Sequence, residues 1–171
     1  MDRTTDAVYV ADTKFDERML CLDRVTKIKG LRLIPRAFES VTNHPTIVYR
    51  GVQVQGWWPC VEYLLDVRPF PNLLPSSVQE RAIIRASVDL ILRQPLYIGQ
   101  FQQLYARQLK ANSAITLPYN TPLLLDIAIA SYEHTPLAET FPWIEPLATA
   151  VDREITRQLT HQSEEEIRQL A

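Results

Sequence analysis

The sequence predicts an α+β chain, with a two-layer unit of strands and helices over residues 1–67 and an all-helical unit over residues 77–171. Three observations carry this. Short β-prone runs are confined to the first 55 residues, a stretch with three prolines interrupts the chain at 68–76, and nothing beyond Ser77 reads as strand. A length of 171 residues leaves room for one large domain or two small ones, and 46% hydrophobic against 22% charged residues supplies apolar mass for a core.

The elements follow in order. Residues 7–11, Ala-Val-Tyr-Val-Ala, are a first strand ahead of the polar turn Asp12-Thr13-Lys14. Thr13, followed three residues later by Asp16, reads as an N-cap. Phe15, Met19, Leu22, Val25 and Ile28 then recur at helical spacing, which predicts a helix over about 14–29. Lys27 and Lys29 complement its carboxyl-terminal dipole, and Gly30 suits the left-handed C′ position. Leu31 to Phe38 reads as a second strand, at an edge or a bulge because of Pro35. Thr46–Tyr49 and Val52–Gln55 flank Arg50-Gly51 as a β-hairpin. Residues 57–65 form a short helix with Pro59 in its first turn.

After the proline-rich linker, Ser77 and Glu80 form a capping box. It opens a helix to about 93 with Val78, Ile84, Val88 and Ile91 inward and Arg81, Arg85 and Asp89 outward. Phe101, Leu104, Tyr105 and Leu109 define a second helix after Pro95. A third, from Thr121-Pro122, is apolar almost all round through Ala130 and belongs at the centre of a bundle. The last segment, Trp143 to Ala171, is amphipathic and becomes strongly charged at Glu164-Glu165-Glu166.

Composition excludes several function classes. Eighteen basic against twenty acidic residues give a net charge of -2, so no whole-chain attraction to nucleic acid is expected. The apolar run near 122–130 contains Asp126 and falls short of the roughly 20 residues that cross a bilayer. Asp2 to Asp6 precede only a five-residue apolar run, unlike a signal peptide, and a cytoplasmic protein without membrane contact is expected. Cys21, Cys60, His44, His134 and His161 show no metal-ligand spacing, so no metal site is expected and both cysteines read as small buried hydrophobes. No G-x-S-x-G nucleophile elbow is present.

The order strand, helix, strand, hairpin, short helix, proline-rich linker and helical half resembles the glutathione transferase superfamily. That resemblance implies a thioredoxin-like domain followed by an all-helical domain, and it is closest to the stringent starvation protein A branch. It is carried by Pro45-Thr46-Ile47-Val48, by Glu62-Tyr63-Leu64, and by Arg68-Pro69-Phe70-Pro71-Asn72-Leu73-Leu74-Pro75, which is similar to that branch's E-Y-L-D-E-R-F-P-H-P-P-L-M-P stretch. Leu125 to Ala130 resembles the A-D-I-A-x-A core helix, and Phe141-Pro142-Trp143-Ile144 resembles the Y-P-x-L start of the next helix. The motifs keep their order and spacing over roughly 45–150, while residues 1–44 match in pattern alone.

In that superfamily the tripeptide's main chain pairs with the residue before a cis-proline, and a Glu/Gln-Ser pair at the next helix start holds its γ-glutamyl carboxylate. The resemblance puts Pro45 at the proline position. Where Glu-Ser would fall stand Gly56-Trp57, which bring an indole instead of a hydroxyl or carboxylate. Pro45, Thr46, Gly56 and Trp57 thus outline a vestigial ligand groove, with Trp58 beside it to fill the cavity or dock a partner. Only six residues separate Phe38 from Pro45, so the helix that would wall this groove is reduced or absent. Thr13 and Tyr9 are the hydroxyls near the first helix. Thr13 is flanked by carboxylates that oppose a thiolate, and Tyr9 reads as strand core.

No catalytic residue, metal or cofactor, glutathione included, is therefore expected. The resemblance implies a non-catalytic adaptor that regulates transcription by binding a protein partner, RNA polymerase or a sigma factor. Its partner-binding residues would be Pro69, Phe70, Pro71, Arg81 and Arg85, with Phe70 where the branch has histidine. A homodimer is the family habit. The other reading is a divergent glutathione-dependent transferase that uses Tyr9 or Thr13.

Overall fold

A computed structural model of the chain describes residues 7–11, 16–36, 45–68, 71–112, 114–117 and 123–170. It divides into two compact units, Met1–Asn72 and Leu73–Ala171.

The first unit holds β1 (Ala7–Ala11), α1 (Glu17–Ile28), β2 (Arg32–Arg36), β3 (Thr46–Tyr49), β4 (Val52–Gln55) and α2 (Trp57–Val67). The sheet order is β2-β1-β3-β4. β1 and β2 are parallel, which requires a crossover, and α1 supplies it. β1–β3 and β3–β4 are antiparallel. Pro35 sits opposite Val10 on the edge strand β2, where a missing N–H breaks no second ladder. The hairpin turn is built by Arg50 and Gly51, both at positive φ (51° and 77°), the backbone of a tight turn matched to strand twist.

Strand alternation puts Val8, Val10 and Ile47 on the buried side of the sheet. The same layer takes Leu22, Val25 and Ile28 from α1 and Val61 and Leu64 from α2, all buried. Tyr9 has the opposite parity and, contrary to the core expectation, is only half-buried, with the Arg36 guanidinium 5.2 Å from its ring centre.

Two local expectations in this unit are corrected. The N-cap of α1 is Asp16, whose Oδ1 accepts from the backbone N–H of Arg18 (3.0 Å) and Met19 (3.2 Å), so the helix starts at Glu17 and not near 14. Thr13 lies outside the described residues. Lys29, read as a partner of the α1 dipole, is 2% exposed. Its Nζ donates to the carbonyls of Arg68 (2.5 Å) and Pro71 (2.7 Å), while Arg68 Nη1 donates to the carbonyl of Lys29 (3.1 Å). Burial lowers this ammonium to about 8.

The second unit holds α3 (Val78–Arg93), a 3₁₀ segment (Pro95–Phe101), α4 (Gln102–Asn112), α5 (Leu123–Ala130), a one-turn helix α6 (Leu137–Thr140) and α7 (Ile144–Leu170). Ser77 caps α3 as expected, with Oγ accepting from Glu80 N–H at 3.4 Å. All eight residues of α5 are buried, which fits a helix apolar all round between α3 and α7. Its Asp126 accepts a hydrogen bond from the Tyr105 hydroxyl. Burial, then the Asp126 charge and that bond, push the phenol's pKa up. The Tyr105 ring stacks on Trp143 at 5.1 Å and 18°, and Tyr132 Oη donates to Ile91 O at 3.0 Å.

The inward face read for α3 is only partly right. Val88 and Ile91 are buried, but Val78 is 76% exposed, Ile84 is half-buried, and Arg85, expected outward, is half-buried too. The apolar face of α3 runs beyond its packing at Val78, and Ile83, on another side of the helix, is 63% exposed. The helix placed after Pro95 opens as a 3₁₀ segment, and α6 has no counterpart in the sequence reading.

Candidate functional site

The four residues that the sequence places around a groove lie where β3 and α2 begin. The hairpin returns the chain so that Thr46 pairs with Gln55, which brings Gly56 beside Pro45. Gly56 N–H donates to the Pro45 carbonyl at 2.8 Å. Thr46 and Pro45 are both buried, so the four expected residues Pro45, Thr46, Gly56 and Trp57 do come together.

Their chemistry is sparse. Gly56 is the N-cap of α2 at φ 95° and ψ 137°, a conformation open to glycine, and the cap has no side-chain hydrogen bond. The first turn carries no acidic residue, and Pro59 removes one of the amides with which a helix start holds an anion. Cys60 N–H is spent on the carbonyl of Gly56 at 3.0 Å. The Trp57 indole is 8% exposed and lies 5.4 Å, at 60°, from the half-buried Trp58 ring. The start of α2 is therefore apolar, with two indoles packed side by side.

Cys60 is the nearest thiol and is fully buried. Its Sγ donates toward Val54 O (3.4 Å) and Pro45 O (3.8 Å), and burial pushes the thiol up to about 12. At neutral pH it carries no thiolate, so it serves as packing. The Cys60–Pro45 tie is not visible in the sequence, since nothing in a P-x14-C separation marks it. Cys21 is also buried, in α1. Among the described residues no group of three or more His, Cys, Asp or Glu could hold a metal ion.

Of the expected partner-binding residues, Pro69 and Phe70 lie outside the described residues and Pro71 is half-buried. Arg81 is exposed on α3. Arg85, one turn on, is half-buried, with Nε enclosed and lacking a hydrogen-bond partner among the described residues. Arg93 is tied to Asp89 at 2.8 Å. The residues missed at this surface are Val78, which apolar periodicity assigns to the inward face, and Ile83, which it leaves unassigned.

No family model matches the chain, and neither does the sequence of any curated protein. Solved structures do. The chain is similar to a maleylacetoacetate isomerase from Anaeromyxobacter dehalogenans with glutathione in its active site, at 16% identity over 84% of this chain and 89% of that one, TM-score 0.53. A glutathione transferase homolog from Burkholderia with bound glutathione gives 16% identity over 90% and 98%, TM-score 0.56. The theta class glutathione S-transferase of Xanthomonas axonopodis pv. citri gives 14% over 88% and 97%, TM-score 0.55. At such identities the likeness establishes architecture. The chain has the glutathione transferase-like fold, a thioredoxin-like unit followed by a helical one. Among the described residues no helix is long and apolar enough to cross a membrane.

Proposed function

We propose that this chain is a non-catalytic, glutathione transferase-like adaptor that works by binding a protein partner in the cytoplasm. The observation that carries the reading is the first turn of α2, where Gly56, Trp57 and Pro59 take the places from which a carboxylate holder and its amides would act. A fold that keeps its frame and lacks the anion holder has its surface left to work with. On α3 exposed Val78 and Arg81 are i,i+3 neighbours, an apolar side chain beside a basic one of the kind found at protein interfaces, and Ile83 is exposed on another side of the same helix. Similarity of the Arg68–Pro75 stretch to the stringent starvation protein A branch favours RNA polymerase holoenzyme as the partner, and transcription regulation as the outcome.

Two measurements test this. The chain should pass through immobilised glutathione unretained and give no turnover of 1-chloro-2,4-dinitrobenzene with glutathione; retention or turnover overturns the non-catalytic reading. RNA polymerase holoenzyme should capture the chain, and Phe70→Ala should weaken capture by more than about 1 kcal/mol without unfolding the protein. The other reading, a divergent transferase using Tyr9 or Thr13, draws support from the likeness to glutathione-bound structures. It predicts the opposite result in the first measurement.

A further inference from the structure

A groove of about 330 Å³ in the second unit is lined by Ala114, Ile115, Glu145, Pro146, Thr149, Ala150 and Arg153. Five of these come from α7 at positions i, i+1, i+4, i+5 and i+8, which is one face of a helix. The opposite wall is the stretch after α4, where Ile115 is buried and Thr116 N–H donates to Gln108 Oε1 at 2.8 Å, fixing its course. The floor is therefore apolar and the two ends are charged with opposite sign. Glu145 and Arg153 stand eight residues apart, about 12 Å along the helix. That is too far to pair with each other, and among the described residues neither has an ion-pair partner.

Glu145 also lines a second depression of about 410 Å³, shared with Glu133, His134 and Glu139. The field at that end of the groove is thus negative well beyond one side chain, which favours a cation there and repels a carboxylate. Thr149 donates its hydroxyl proton to Glu145 O at 3.2 Å, which leaves its oxygen as an acceptor.

We propose that this groove binds a short peptide with free termini, its ammonium group at Glu145 and its carboxylate at Arg153. A di- or tripeptide spans the distance left once a hydrogen bond is made at each end. Its side chains lie over Ile115, Pro146 and Ala150. A basic first residue gains further from Glu139. The site is separate from the α2 start, and its occupancy does not depend on the function proposed above.

Calorimetric titration of the full chain with trialanine tests the assignment. Saturable binding with a dissociation constant on the order of 1 mM is expected. N-acetylation or C-amidation should each weaken it about tenfold, because each removes one charge-assisted contact. Lys-Ala-Ala should bind tighter than Ala-Ala-Lys. Arg153→Glu should abolish binding and Arg153→Lys should retain most of it. If Arg153→Glu does not fold, the blocked peptides on the unaltered chain decide. Equal binding of free and blocked trialanine, equal binding of the two lysine peptides, or no saturation up to about 20 mM would overturn the proposal.

Discussion

Lys29 shows how much one buried charge governs. Its ammonium donates to the carbonyls of Arg68 and Pro71, but burial holds its pKa near 8 against 10.5 in an open chain. Between those values the unfolded chain keeps a proton that the folded one has released, so raising the pH across this window increases stability. Cys60 works in the opposite sense, since its thiol stays protonated to about 12 when folded while the unfolded thiol ionises from about 9. Tyr105, also raised, adds to that opposition above about 10. Urea unfolding should therefore show stability rising from pH 8 to 9, levelling between 9 and 10, and falling above 10. In Lys29→Met the rise between 8 and 9 should vanish, and at pH 7 the variant should lose about 1–3 kcal/mol through two carbonyls left without their donor. A rise of unchanged slope in the variant would show that another group titrates there. The sequence offers Lys29 only as a residue at a helix end. Its burial comes from chain some forty residues later, which no local pattern reveals.

Helix starts and turns were the most legible elements, because caps and glycines act within four residues of themselves. Ser77 and the Arg50-Gly51 hairpin were read directly. The start of α1 was misread because Thr13 and Asp16 both have capping chemistry, and only the backbone shows that Asp16 accepts the two amides. Asp16→Ala should cost about 1 kcal/mol of unfolding free energy, within the 0.5–2 range of lost N-caps. The two glycines at Gly51 and Gly56 separate conformational strain from contact. A Cβ at Gly51 meets nothing within 4 Å, whereas one at Gly56 lies 3.3 Å from Pro59 Cδ in a backbone conformation that side chains avoid. Gly51→Ala should cost about 1 kcal/mol and Gly56→Ala measurably more, the excess coming from the Pro59 contact together with the glycine-specific backbone of Gly56. Equal losses in thermal or urea unfolding would mean that α2 shifts freely at its start.

At the scale of the whole molecule, the order of elements and the proline-rich break sufficed for the fold because each unit's class follows from hydrophobic period, 2 in the strands and 3.6 in the helices. Pro45, Thr46, Gly56 and Trp57 come together for a different reason, that the hairpin spacing fixes which chain segments meet. What period cannot show is whether an apolar stripe has anything to pack on. Val78 is read with Val88 and Ile91 as one inward face, yet it ends in solvent, as does Ile83 on another side of the helix, and only the three-dimensional course of α3 shows where packing stops. That distinction yields a test of where a partner docks. Burying an exposed aliphatic side chain at the centre of an interface contributes about 1.5–3 kcal/mol, and forcing a carboxylate there adds a desolvation cost. Val78→Asp, next to Arg81, should therefore reduce capture by RNA polymerase holoenzyme at least tenfold, and Ile83→Asp tests whether the contact extends to the other exposed side of α3. Because neither side chain contributes to the core, unfolding free energies should stay within about 0.5 kcal/mol of the unaltered chain. A charge reversal at Arg157, exposed on α7 and paired to Glu154 at 2.6 Å, serves as the control and should leave capture unchanged. Capture that survives Ile83→Asp and Val78→Asp together would remove α3 from the docking surface.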